Sequence, residues 1–198
     1  MTVPANPDPL QPKAASTSYT LRRATPADAA QVSHLIGSTW AKFFAYSVTP
    51  QDLEDYLSGP VSVAQISSDI ENPAMRFLVS TPTSRSAGVE SGETPEIVGV
   101  AQLVLGTTEP CLTLPRPVEL RRLYVSPEHH GGGAASSLVR GVEDLARGEG
   151  LGSMWLGVWE DNPRGKRFYE KMGFGVVGEH TFLVGQSVRR DWVMEKAL

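Results

Sequence analysis

Three adjacent glycines, Gly131 to Gly133, separate a hydrophobic run from Val118 to Val125 from a run with helical periodicity. After them Ala135, Leu138, Val139, Val142, Leu145 and Ala146 form one apolar stripe, so a helix is expected to begin near Gly133. A strand that enters a helix through glycine turns several unpaired backbone N–H groups, and the positive end of the helix dipole, toward one point. Missing Cβ atoms let a ligand come close to that backbone. Ser136 and Ser137 fall in the first helical turn and add hydroxyl donors. Such a junction suits a pyrophosphate and requires an α/β fold. A glycine turn alone is more often a linker, so the reading depends on the strand before, the helix after and a second motif downstream.

The strand before the glycines carries a further signal. Its apolar positions are Val118 and Leu120, then Leu123 and Val125, so the alternation slips by one residue at Arg121-Arg122. A β-bulge produces such a slip, and bulges gather next to active sites. The alternative is an arginine pair on a strand that ends early.

Along the chain, residues 1–18 are rich in Pro, Ala, Ser and Thr without periodicity, and are expected to be a disordered tail. The folded domain is expected over residues 19–198. Tyr19 to Ala24 reads as a strand. Thr25-Pro26-Ala27-Asp28 and Thr49-Pro50-Gln51-Asp52 are helix starts, each with a cap, a first-turn proline and an acid for the dipole. A third helix is expected from Val61 to Ile70, and strands from Met75 to Ser80 and Ile97 to Leu105. Residues 81–96 have almost no large apolar side chain and read as a long flexible loop. From Val118 the order is strand, helix, strand, helix, strand, strand, which makes an α/β domain with helices covering a mixed sheet.

Composition excludes several functions. The 198-residue chain has a formal net charge of -4, whereas nucleic-acid binders usually carry a basic stripe. A single cysteine, Cys111, rules out an internal disulfide and a multi-cysteine metal cluster. His129-His130 has no carboxylate or thiol at ligand spacing, so no metal site is expected. With no run of about 20 apolar residues and no signal pattern, a cytoplasmic protein without membrane partners is expected.

The second motif is Asn162-Pro163-Arg164-Gly165-Lys166-Arg167-Phe168-Tyr169, followed by Glu170-Lys171-Met172-Gly173-Phe174. Asn162 is a plausible N-cap, Pro163 suits the first helical position and Gly173 the C-terminal glycine. Phe168 belongs in the core, and Tyr169 is free to reach toward the glycine turn.

Taken together, [Q/R]-x-x-G-x-[G/A], met by His130 to Ala135 with His130 in first place, and N-x-x-[A/G]-x-x-F-Y resemble the GCN5-related N-acetyltransferase (GNAT) superfamily. The resemblance runs from Tyr19 to Leu198 and is most specific from Glu119 onward. It implies a GNAT fold, with a central mixed twisted β-sheet flanked by helices and a bulged central strand. It also implies transfer of acetyl from acetyl-CoA (coenzyme A) to an amine. By the same resemblance Leu123, Tyr124 and Val125 line the pantetheine and acetyl group. His130, Gly131, Gly132, Gly133, Ala134, Ala135 and Ser136 hold the pyrophosphate, Asn162 contacts the cofactor arm, and Tyr169 protonates the departing thiolate. Ser38-Thr39-Trp40 to Phe44, Trp155 to Glu160, Gly178 to Phe182 and Asp191 to Leu198 are similar to polyamine acetyltransferases of the PaiA type, which implies spermidine or spermine as acceptor. Arg189-Arg190 departs from that subgroup, and positive charge at a substrate mouth disfavours a polycation.

An amine with a pKa near 10 must lose a proton before it attacks. Glu119, just before the slip, is the first candidate base; its alternative is an ion pair with Arg121. Glu160 is the second candidate. Trp40, Phe43, Phe44 and Tyr46 form an aromatic patch that either lines the acceptor pocket, where it would favour a cation, or joins the core. Cys111 has no activating neighbour, which favours direct attack over a covalent relay. Three readings stand at this point. They are a small-molecule amine acetyltransferase, one acting on peptide or protein amines, and a non-catalytic acyl-CoA-binding protein, each as a monomer or homodimer.

Overall fold

The computed structural model describes residues 18–83, 95–184 and 187–198. The expected tail up to residue 17, residues 84–94 of the expected loop, and Gly185 lie outside them. The strands are β1 (Tyr19–Arg23), β2 (Met75–Pro82), β3 (Gly99–Leu105), β4 (Pro117–Val125), β5 (Ser153–Trp159), β6 (Gly175–Val184) and β7 (Ser187–Ala197). The α-helices are α1 (Ala29–Phe44), α2 (Pro50–Ser58), α3 (Val63–Glu71), α4 (Ala134–Gly148) and α5 (Pro163–Lys171). The strands form one 7-stranded sheet in the order β1-β2-β3-β4-β5-β7-β6. Among the described residues only β4 and β5 run parallel. This is the mixed α/β architecture expected from the sequence.

Both sheet faces are covered, and strand alternation divides the core between them. Phe77, Val79 and Val100 face α1 and α3, where they pack with Val32, Ile36 and Ile66. Their neighbours Leu78, Ala101 and Leu103 face α4 and meet Leu138, Val139 and Val142. The N-terminal cap of the first helical segment is tighter than a dipole argument alone suggests. Asp28 accepts from the Thr25 backbone N–H at 2.7 Å and receives both guanidinium nitrogens of Arg22 at 2.7 Å. Thr49 Oγ1 caps α2 by accepting from Asp52 N–H at 3.1 Å.

Element ends differ from the sequence reading: α3 begins at Val63 rather than Val61 and β3 at Gly99 rather than Ile97, and the tail and loop each yield residues to the sheet. Thr81 and Pro82, assigned to the loop, continue β2 and pair with Thr20 and Tyr19. Ser18, assigned to the tail, accepts a hydrogen bond from the Thr83 N–H at 2.8 Å. Edge-strand backbone supplies the partners here, and composition cannot reveal it. Cys111 packs against β6, where a Cβ on Gly178 would stand 2.7 Å from its sulfur.

The Arg22 guanidinium, and behind it the Thr25 N–H and hydroxyl, hold the Asp28 carboxyl down at about 2 despite burial. The folded state therefore gains stability from ionised Asp28 above the ordinary carboxylate range. That gain is lost as pH falls toward 2. Asp28→Asn is expected to cost about 1–2 kcal/mol at neutral pH, with the difference from wild type shrinking between pH 4 and pH 2 in urea denaturation.

Candidate active site

β4 and β5 are paired only from Pro117 to Glu119 against Ser153 to Trp155, and then they separate. The cause lies partly on β4. Gln102 of β3 pairs with Arg122 and Leu103 with Leu120, so Arg121 is the extra residue of a bulge. The bulge sits at the slip seen in the sequence, and it increases the local twist of β4. Beyond Glu119 one edge of β4 has no strand to bond, and its backbone donors and acceptors face the gap. A cleft of about 990 Å³ occupies this gap and runs from the glycine turn to the β6–β7 side of the sheet.

Leu123, Tyr124 and Val125 form one wall, and Gly157, Val158 and Trp159 the other. At one end lies the glycine turn. Gly131 and Gly133 have φ of 78° and 93°, values that disfavour side-chain-bearing residues, and Gly133 directly precedes α4. Neither would place a Cβ within 4 Å of another group, so the surface beside them is open. His130, Ala134, Ala135 and Ser136 border the same end. Gly132 does not border the cleft; a Cβ there would stand 2.5 Å from the Tyr19 hydroxyl, so it serves packing. His130 donates from Nε2 to the Val125 carbonyl at 3.0 Å. Its Nδ1 is therefore left to accept from Arg164, 3.3 Å away. Phe43 stacks on the imidazole at 5.8 Å. An open, glycine-lined helix N-terminus that leads into a splayed strand pair fits a pyrophosphate with an extended arm.

Across the gap, Asn162 caps α5 by accepting from Gly165 N–H at 2.9 Å. A Cβ on residue 165 would lie 2.5 Å from the Asn162 amide nitrogen, which explains the small residue in the motif. The Tyr169 ring meets Phe168 and Phe174 edge-on at 5.3 and 5.8 Å. Burial alone pushes its phenol well above the ordinary value, so it stays protonated. Tyr124 is raised as well, first by burial and then by Tyr56.

The carboxylates separate into distinct roles. Glu119 borders the cleft but is gripped side-on by Arg121, with Nε–Oε1 at 3.1 Å and Nη2–Oε2 at 2.7 Å. Glu160 does not line the cleft, because its side chain turns to Arg190 on the outer face. Asp191, which sequence reasoning did not single out, lines the cleft from β7. Its Oδ1 is buried without a hydrogen-bond partner. Burial raises the carboxyl to about 6, against the opposing pull of His180 and Arg189. Gly157 makes room for it, since a Cβ there would be 2.8 Å from Asp191 Oδ2. A glycine inside a strand, between Trp155 and Trp159, was the available signal. Trp40, Phe43 and Phe44 all line the cleft, and Trp40 also packs on Tyr56 at 4.7 Å, so it serves cleft and core together. Among the described residues no cluster of His, Cys, Asp and Glu could hold a metal ion, and no helix is long and apolar enough to cross a membrane.

The sequence matches the acetyltransferase (GNAT) family over residues 49–174. It is 32% identical over 171 residues to an uncharacterised N-acetyltransferase of Mycobacterium tuberculosis (strain ATCC 25618 / H37Rv), covering 86% of this chain and 98% of the relative. It is 27% identical over 165 residues to streptothricin acetyltransferase of Streptomyces lavendulae, covering 82% and 84% of the two chains. The fold is shared with the PaiA N-acetyltransferase of Thermoplasma acidophilum, solved in complex with coenzyme A. That match has a TM-score of 0.69 at 21% identity and covers 91% of this chain and 99% of that one.

Raising a carboxyl in the folded state has a thermodynamic cost. The folded protein holds the Asp191 proton more tightly than the unfolded chain, so stability falls as pH rises from the ordinary carboxylate range to about 6. Asp191→Asn is expected to stabilise the fold by about 1–2 kcal/mol above pH 6 and by nothing below pH 4, as read from urea midpoints at a series of pH values.

Proposed function

The chain belongs to the acetyltransferase (GNAT) family and is an acetyl-CoA-dependent N-acetyltransferase, and from that premise we propose that its acceptor is the primary amine of a small molecule, acetylated by direct attack. The observation that carries the acceptor reading is the far end of the cleft. It is lined by the aromatic rings of Trp40, Phe44, Tyr46, Trp159 and Phe182 together with His180, Arg189 and Asp191, a mostly apolar lining with a few convergent polar groups of the kind that receives a small molecule. The likeness to PaiA-type enzymes makes polyamines one acceptor class to test.

Acetyl-CoA supplies a thioester carbon open to attack and a thiolate as leaving group. Asp191 takes the proton that the attacking ammonium must shed; with its carboxyl at about 6 it is ionised at neutral pH and close enough in basicity to act. The β4 backbone N–H groups beyond Glu119 face the gap and can stabilise charge on the thioester oxygen. Tyr169, kept neutral by burial, donates its phenolic proton to the sulfur. In balance, an N–C bond forms and the C–S bond breaks; of the two protons the ammonium loses, one passes to Asp191 and on to solvent, and the other replaces, by way of solvent, the one that Tyr169 gives to sulfur. The glycine turn and Asn162 hold the carrier. Glu119, fixed by Arg121, also borders the cleft and is the rival base.

Acetyl-CoA-dependent thiol release with small amines tests the reading, and an enzyme that acetylates peptides in preference would overturn it. Tyr169→Phe is expected to lower turnover roughly 10²-fold with the KM for acetyl-CoA little changed. Activity should rise with pH through about 6, and Asp191→Asn should abolish that acidic limb while Glu119→Gln keeps it. The reverse result would move the base to Glu119.

A further inference from the structure

Arg189 and Arg190 are neighbours in sequence and opposites in position. Arg190 is exposed and satisfied by Glu160 and Glu179 on the outer face. Arg189 points the other way, into the acceptor end of the cleft, and is only 7% exposed. Its guanidinium lies over the Trp159 ring at 4.2 Å, and Nη2 donates to Ser47 Oγ at 2.6 Å. Its Nε is buried without a hydrogen-bond partner. Among the described residues no carboxylate forms an ion pair with it within 4.0 Å. Asp191 and Asp161 act on Arg189 only from beyond ion-pair reach.

A buried guanidinium without a counter-ion is costly, and its planar fork is shaped for a carboxylate. Stacking on Trp159 holds that fork in place before any ligand arrives, so little ordering remains to be done on binding. Arg189 and Asp191 are two residues apart on β7, on one face, and so about 6–7 Å apart along the strand. One receives an anion and the other takes the proton of an amine. A polyamine would instead set a second ammonium against Arg189.

Building on the acceptor reading above, we propose that the amine substrate also carries a carboxylate, bound by Arg189, so that the enzyme acetylates a small amino acid whose two groups lie a few bonds apart. Arg189 is a specificity residue in this assignment and takes no part in proton transfer. The Trp159 ring and Ser47 are its positioning contacts.

The test is thiol release with a series of α- and ω-amino acids. Each is compared with its own amide, with the diamine of equal length and with the corresponding aminoalkylphosphonate, and spermidine is included. The expected result is a preference for the carboxylate over its amide of roughly 10- to 100-fold in kcat/KM, the range for a hydrogen bond to a charged group. Arg189→Gln should collapse that ratio toward one, and Arg189→Lys should restore part of it. Should the glutamine variant fail to fold, the wild-type ratios decide alone. Equal or better turnover of amides, diamines or spermidine overturns the carboxylate assignment and leaves the small-amine reading intact, and a preference for phosphonates overturns it in the same way. Silence with every amine overturns the small-amine reading and this assignment with it.

Discussion

The separation of β4 from β5 after three paired residues is the constraint on which the rest of the site depends. A sheet normally spends its backbone hydrogen bonds on its own strands. Here the Arg121 bulge turns β4 away from β5, which stays paired with β7 along its other edge. One β4 edge is thereby left for a ligand. The glycine turn lies at the end of that edge because β4 runs directly into it, and α5 brings Asn162 and Tyr169 to the other side because it follows β5. The cleft, the glycine turn at one end of it and Tyr169 beside it thus all follow from one local break in strand pairing.

The charges follow a second rule, which is that pairing state decides role. Glu119 and Glu160 are each held by an arginine. Asp191 has a free oxygen and a raised carboxyl, and Arg189 a free nitrogen; both lie at the acceptor end. Unsatisfied polar groups destabilise a fold, and they are kept where a substrate satisfies them. The expected gain in stability of Asp191→Asn together with a loss of activity is the ordinary trade between the two.

Much of the cofactor half was legible because its signals are local. The slip at Arg121-Arg122, the glycines before an apolar stripe, and the capped helix ending in Phe168-Tyr169 each lie within about ten residues of chain, where periodicity and turn chemistry decide the conformation. Glycine assignments were less secure in detail. Gly131 and Gly133 need their backbone angles, whereas Gly132 answers to Tyr19, more than a hundred residues away in sequence.

The acceptor half was not legible, since it is assembled from β5, β7 and the end of α1, which meet only in the folded sheet. Sequence placed Glu160 beside the substrate because it follows a strand, but its neighbour Arg190 draws it to the outer face. It treated Arg189 and Arg190 as one charged pair, although a strand sends adjacent side chains to opposite sides. It passed over Asp191, which lies across from Trp159 in the register of β5 and β7 and turns its carboxyl over the diagonal neighbour Gly157. The sequence by itself determined the fold class and pointed to the glycine turn and Tyr169 as candidates for holding the carrier and giving the proton, because these are written in short-range patterns. The tertiary structure alone decided which carboxylate is free to act and which arginine faces the acceptor, because burial and pairing are properties of contacts between distant segments.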